Sequence, residues 1–405
     1  MAENLKGNML IAQSGGPTAV INQTLVGAVW EAKEHKAIQG IYGALYGIKG
    51  VLKENFVDLR KETKANLAAV AKTPSSALGT VRQRPTEEEC EQIFSILIRY
   101  NIRYFFYIGG NDTAEATFIL NESAKKVDYE FRCFHIPKTI DNDLLENDHT
   151  PGYGSAARFV ALAIMGDNLD NWSLPGVKID VIMGRHAGFL TAASALARQH
   201  PDDGPHLIYL PEKPFSLDKF LADVQETYRR LGRCLVAVSE GLSAEDGTPI
   251  VTKFIKERED AFGHVQLSGT GVLGDFLANQ VKSKAEISRV RADTFGYLQR
   301  CFPTIVSETD AREAHQVARV AVRMAVKGET GKSVAICRHP GKKYHIFYQL
   351  VPLSRVARET KTMPDNFINS TGNDVTEDFL EYARPLVGRL PEMARLKGHL
   401  VPKIS

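Results

Sequence analysis

Phe131-Arg132-Cys133-Phe134-His135-Ile136-Pro137-Lys138-Thr139-Ile140-Asp141-Asn142-Asp143 is the stretch whose reading decides the fold. The run from Phe131 to Ile136 reads as a buried strand of the kind found in parallel sheets. The residues after it, Pro137 to Asp143, crowd a Lys, a Thr and two Asp at the strand's C-terminal end. Ligands of open α/β sheets bind outside the carboxyl ends of the strands. A Lys there can hold a phosphate, and a carboxylate can take a proton from a hydroxyl. Asp-Asn-Asp is also an ordinary turn sequence, so this stretch alone leaves a plain turn as the alternative.

The same unit recurs on either side. Met9 to Gln13 is an apolar run that ends in Ser14-Gly15-Gly16-Pro17-Thr18, and apolar residues then return at helical spacing to about Lys36. Tyr104 to Ile108 runs into Gly109-Gly110-Asn111-Asp112-Thr113 and a further helix. Neither loop is a G-x-x-x-x-G-K-[ST] or G-x-G-x-x-G sequence. Asp112 and Thr113 suit a helix cap or, alternatively, magnesium beside a phosphate. Pro74 to Arg84 is a loop carrying Arg82 and Arg84, and Thr86 with Glu89 forms a capping box for the helix behind it. Ile179 to Met183 ends in Gly184-Arg185-His186, and Leu235 to Val238 ends in Ser239-Glu240-Gly241. Strand and helix alternate from residue 8 to 240, longer than one nucleotide-binding sheet, which predicts an α/β fold of two doubly wound, mainly parallel lobes. The last third is less regular. A Gly-rich loop spans Gly263 to Gly271, Tyr297 and Arg300 fall on one side of a helical turn, and Ser333–Ile336 with Tyr344–Val351 read as a closing antiparallel pair.

Bulk composition narrows the function class. The 405 residues carry a formal net charge of +2, and the basic residues are spread along the chain, which argues against a nucleic-acid partner. No apolar run reaches the ~20 residues needed to span a bilayer, so no membrane is expected. The five Cys are widely spaced without a C-x-x-C pair, which places the protein in a reducing, cytoplasmic compartment.

Taken together, the strand-end loops resemble, in order and spacing, those of the phosphofructokinase family over about residues 8 to 350. The resemblance implies phosphoryl transfer to the 1-hydroxyl of fructose 6-phosphate, in glycolysis or gluconeogenesis, in a cleft between the lobes. It implies Asp141 as the general base, with Thr139, Met183, Gly184, Arg185, Glu240, Tyr297 and Arg300 on the sugar phosphate. Gly15 and Arg82 match the donor's phosphate cradle, and Asp143 the second aspartate of the Thr139–Asp143 core. The lobes are drawn as residues 1–152 plus about 265–315 for the donor, and about 153–264 plus about 316–405 for the sugar phosphate. The family also implies a homodimer without allosteric control, with Lys178 as a cross-subunit contact.

Asp112 and Lys138 stand where members that use ATP typically carry Gly, a combination similar to the pyrophosphate-dependent branch. A carboxylate ~4 Å from an α-phosphate repels it by about 4 kcal/mol at an effective dielectric of 20. That is roughly a thousandfold in affinity. Lys138 adds positive charge where the leaving group of a small donor becomes negative. The two could also be a mere salt bridge. Mg²⁺ is expected beside the donor, with Asn111 and Asp143 as ligands, although Asn111 replaces the Asp of many members. The Leu267-Ser268 segment lacks an Arg that ATP-using members carry, and Tyr297/Arg300 are expected to supply that contact. The alternatives are an ATP-dependent 6-phosphofructokinase and a non-catalytic sugar-phosphate-binding regulatory subunit.

Overall fold

The computed structural model describes residues 5–253, 270–341, 343–357 and 359–404. The Gly-rich loop before Gly271, including Leu267 and Ser268, lies outside the described residues.

Parallel strands covered on both faces must be apolar on both faces, and here they are. The first sheet is built from β1 (Gly7–Gln13), β2 (Ile38–Ala44), β3 (Phe56–Asp58), β4 (Ile102–Gly109) and β5 (Arg132–Pro137). The second holds β6 (Val177–Ile182), β7 (Leu207–Tyr209), β8 (Cys234–Ser239) and β9 (Val290–Thr294), after which β10 (Lys332–Arg338) and β11 (Ile346–Pro352) return to the first. Along β4, Tyr104, Phe106 and Ile108 enter one apolar cluster while Phe105 and Tyr107 enter the one on the opposite face. In β8, Cys234, Val236 and Val238 likewise part from Leu235 and Ala237. The alternation is the two-residue period of a strand, and each face is roofed by helices.

Strand order is β11-β10-β5-β4-β1-β2-β3 in the first sheet and β7-β8-β6-β9 in the second. The second sheet is parallel throughout; in the first, only β2–β3 and β10–β11 are antiparallel. The closing pair expected near residues 333–351 is therefore present, at the edge of the first sheet.

The lobe boundaries drawn from the sequence need correction. β9 lies beside β6, with Val177 opposite Val290, so residues 290–294 belong to the second sheet and not with 1–152. β10 lies beside β5, with Lys332 opposite Phe134, so residues 332–352 belong to the first. The helix Glu308–Val326 also packs its Val317, Ala318, Ala321 and Val322 into the first lobe's core against Leu25, Val26 and Val29. The C-terminal segment then rejoins the second lobe's core, through Met363 and Ile368 and through Phe379, Ala383 and Leu386 of the helix Glu377–Val387. The chain crosses between lobes three times because a parallel strand's partner is set by long-range packing, which periodicity does not encode. β9 was not expected at all: Arg291 and Asp293 make it a half-exposed edge strand with no apolar run. After Gly188 the chain forms a short helix, Phe189–Ala192, followed by a 3₁₀ turn, Ala193–Ala197.

Gly27 marks the tightest helix crossing in the first lobe. A Cβ there would lie 2.2 Å from the carbonyl oxygen of His315 in the helix Glu308–Val326. Gly27→Ala should destabilise the fold by about 1–3 kcal/mol through overpacking. Urea denaturation measures this, and an unchanged midpoint would mean the two helices can part at no cost.

Candidate functional site

Every strand that carries a candidate residue presents it from its C-terminal end. Ser14-Gly15-Gly16 follow β1, Gly110-Asn111-Asp112 follow β4, Lys138 to Asp143 follow β5, Met183 and Arg185 follow β6, Glu240 follows β8, and Tyr297 and Arg300 follow β9. The chain leaves β1 toward β2 on one side while β4 lies on the other, and such a switch point opens a crevice. The resulting cleft, about 1020 Å³, lies between the lobes and takes residues from both. It is lined by Gly15, Arg82, Asn111, Asp112, Lys138, Thr139, Asp141, Asp143, Met183, Arg185, Glu240, Tyr297 and Arg300. Of the residues singled out in the sequence, Gly184 alone among the site set is absent from the lining. Its φ of 144° makes the turn, and its carbonyl accepts a 2.5 Å hydrogen bond from Ser239 Oγ, so it aims Met183 and Arg185.

Lys138 is buried, 3% exposed, beneath the first Gly loop, and its Nζ donates to the Gly16 carbonyl at 2.7 Å. Burial, reinforced by Arg300 and Arg82 and partly offset by Asp141 and Asp143, pulls its pKa down to about 7. Asp112 pairs elsewhere, with Arg84 Nη2 at 2.6 Å, while Arg84 Nε reaches Glu115 at 3.2 Å. An Asp112–Lys138 salt bridge is thus replaced by two separate anchors. Arg84 and Glu115 were not among the expected site residues; the only signal was Arg84's place two residues after Arg82. The helix Asn111–Lys126 starts at Gly110 without a side-chain cap, so Asp112 sits in its first turn and is not the cap. Its amide groups face the cleft, a setting that favours anions.

Arg300 spans the two halves. Its guanidinium carbon lies 4.7 Å from the Tyr297 ring centre and would be 3.1 Å from a Cβ at Gly16. It therefore lies against both the first Gly loop and Tyr297 of the second lobe. Gln299 is buried beside it, donating to Gly296 O at 2.8 Å and accepting from Met183 N at 3.4 Å. Gln299 positions two site segments at once, and nothing in the sequence distinguished it from its neighbours.

The Asp141-Asn142-Asp143 turn is both a turn and a site. Asn142 adopts a left-handed φ of 60° and is fully buried. Its amide donates to Tyr382 Oη at 2.7 Å, and its oxygen accepts from Thr150 N at 3.1 Å. Tyr382 Oη donates onward to Asp148 O at 2.8 Å. Asn142 thus locks the backbone while its neighbours enter the cleft. Asp143 is pushed up to about 7 by burial and by the nearby Asp141 carboxylate. Lys361 N donates to Asp143 O at 2.8 Å, and the C-terminal segment through Glu359 and Thr360 completes the wall, some 200 residues away in sequence and without a local signal.

The metal-ligand expectation can be tested on the donor set. Asn111 Nδ2 donates to Asp143 Oδ2 at 3.0 Å, and Asn111 Oδ1 is buried without a hydrogen-bond partner among the described residues. An orphaned hard oxygen beside a carboxylate that burial disfavours as an anion fits a magnesium ion. Lys178, by contrast, is already engaged by Asp167 and Asp170 of its own chain, which speaks against a cross-subunit role.

A Gly-loop cradle with a buried cation, a carboxylate turn and a second lobe bearing Met-Gly-Arg define a phosphotransferase cleft, and the comparisons with known proteins agree. Residues 8–325 match the family model described as Phosphofructokinase. The chain belongs to the phosphofructokinase family. It is 56% identical to the pyrophosphate–fructose 6-phosphate 1-phosphotransferase of Rhodospirillum rubrum, over 98% of this chain and 99% of that one. It is 38% identical to the protein of the same name from Xanthomonas campestris, over 94% and 91%. Its fold matches the crystal structure of a pyrophosphate-dependent phosphofructokinase from Marinobacter aquaeolei with a TM-score of 0.84 at 34% identity, covering 98% of each chain.

With Lys138 near pKa 7, the cleft's affinity for a fixed anion should fall as the pH rises through that value, since the ammonium gives up its proton there. Sulfate, whose charge is constant over the range, is a suitable probe. Titration calorimetry should show weakening above pH ~7 in the wild type and a clearly smaller weakening in Lys138→Met, the remainder coming from Asp143, whose carboxyl ionises over the same range; parallel pH profiles in the two proteins would assign the whole change to groups other than Lys138.

Proposed function

We propose that the chain catalyses reversible phosphoryl transfer from pyrophosphate to the 1-hydroxyl of fructose 6-phosphate, giving fructose 1,6-bisphosphate and phosphate. The observation that carries the donor choice is that Asp112 and Lys138 both face the cleft, with Asp112 fixed by Arg84. This wall of Arg84, Asp112 and Glu115 leaves a carboxylate where a nucleotide's α-phosphate would extend, while a bare diphosphate ends short of it. Lys138, Arg82 and Arg300 gather positive charge around such a diphosphate.

Phosphoryl transfer is mostly positioning and charge stabilisation. Asp141, on the turn fixed by Asn142, accepts the proton of the attacking hydroxyl. Thr139 Oγ1 accepts from the Asp141 amide at 3.1 Å and holds the turn's first residue in register. Arg185 and Glu240 hold the sugar from the second lobe, and Tyr297 with Arg300 its phosphate. Mg²⁺, bound by Asn111 Oδ1 and Asp143, would neutralise charge on the donor. Arg300, lying against Gly16, binds donor and acceptor together and helps exclude water from the transfer.

We also propose a cytoplasmic homodimer without allosteric control. The reducing compartment is supported by five free cysteines. No helix among the described residues is long and apolar enough to cross a membrane. Self-association is supported by the exposed Leu169, Trp172 and Leu174 at the end of the helix Tyr153–Ser173 and by the exposed Leu298 and Phe302 toward its start, where Phe302 packs on Phe159 at 5.3 Å.

Side-by-side assays with pyrophosphate and ATP test the donor, and a wild type that prefers ATP ends this reading. Asp112→Gly combined with Lys138→Gly should cut pyrophosphate-dependent activity by orders of magnitude. Asp141→Ala should lower kcat by roughly 10²–10⁴-fold, the usual worth of a general base, with little change in KM for fructose 6-phosphate. Equal losses in kcat and affinity would instead assign Asp141 to binding.

A further inference from the structure

Three carboxylates outside the cleft converge where the helix Tyr153–Ser173 covers β6 and β9. Ligand oxygens of Asp167, Asp180 and Asp293 lie within 4.8 Å of one another, one residue from the helix and one from each strand. The strand register forces the encounter. β6 and β9 run parallel with Asp180 opposite Asp293 and Lys178 opposite Arg291. Like charges set directly across a ladder destabilise it unless something lies between them. Lys178 Nζ is engaged by Asp167 and, at 2.5 Å, by Asp170, and gives Asp180 no hydrogen bond among the described residues, so a single lysine charge faces the carboxylates of Asp167, Asp180 and Asp293.

Asp180 is 1% exposed, and neither of its oxygens has a hydrogen-bond donor among the described residues. Asp167 Oδ2 is orphaned in the same way. A buried carboxylate in that position either takes up a proton, which would let it bond to Asp167, or binds a cation. A proton serves two carboxylates. It leaves the third, Asp293, with solvent alone for a partner, whereas a cation serves all three.

We propose that Asp167, Asp180 and Asp293 form a binding site for a hard divalent cation, separate from the catalytic cleft. The donors are all oxygen, which selects hard cations. Donor oxygens no more than 4.8 Å apart can surround an ion with bonds of about 2.3–2.6 Å, which makes calcium a suitable probe. Asp293 stands at the exposed rim and gives the ion its way in. An ion here would fasten β9 to β6 and to the helix. β9 ends at Thr294, three residues before Tyr297, so the site also braces the segment that carries Tyr297 and Arg300.

The test is calcium uptake by the chelator-stripped full chain, in the absence of pyrophosphate and sugar phosphate, followed by equilibrium dialysis and by thermal unfolding. The wild type should bind one Ca²⁺ per chain and unfold at higher temperature with it. Asp180→Asn should lose both effects. Its affinity should fall by at least the roughly 10–100-fold typical of disturbing a metal's surroundings. Asp143→Asn, altered in the cleft, should keep them. Should Asp180→Asn fail to fold, Asp293→Asn at the exposed rim gives the same readout. Absence of uptake by the wild type, or equal uptake by wild type and Asp180→Asn, overturns the proposal and leaves a shared proton in its place.

Discussion

The structure is organised around an ammonium group that the protein buries at a cost. Lys138 leaves the end of β5, passes under the loop after β1 and donates to Gly16 O. Lowering its pKa from 10.5 to about 7 corresponds to about 5 kcal/mol against the charged form. The sign follows from linkage. Between pH 7 and 10.5 the unfolded chain binds more protons at this residue than the folded one, so its burden on stability is greatest at and below pH 7 and lessens as the pH rises. A group kept in place at such a cost has to be recovered by something outside the bare fold, and a polyanionic ligand recovers it directly.

Other features follow from that placement. Arg300 approaches Gly16 closely, and the Gly loop must remain without side chains for two cations to share it. Asp112 cannot be the partner of Lys138, and it instead joins Arg84 on the rim. Charge in the cleft is therefore sorted: cations at the floor, acids at the wall and on the β5 turn. That arrangement makes the pocket selective for the size of an anion as well as for its sign.

Much of this was legible in the sequence, and the failures have physical causes. The strand-end residues could be read because β1, β4, β5, β6 and β8 are buried on both faces and show as apolar runs, with the functional residue next in line. β9 was missed because it is a five-residue edge strand without an apolar run: Val290-Arg291-Ala292-Asp293-Thr294 alternates between sheltered and exposed side chains, but too briefly to stand out. The lobe boundaries failed for a related reason: β10 reads as a strand but carries no mark of its neighbour, β5. Gln299 and Glu115 escaped because their importance lies in what they touch across the fold. Asp112 and Lys138 were read correctly as cleft residues and wrongly as possible partners, because two opposite charges in a list say nothing of a third, Arg84.

Asn142 shows how late the site comes together. The turn bearing Asp141 and Asp143 is tied to Tyr382, 240 residues downstream. During synthesis both lobes' sheets can assemble before that tyrosine has emerged from the ribosome. A nascent chain would thus hold both sheets while the turn bearing Asp141 stayed unlatched until Tyr382 arrived.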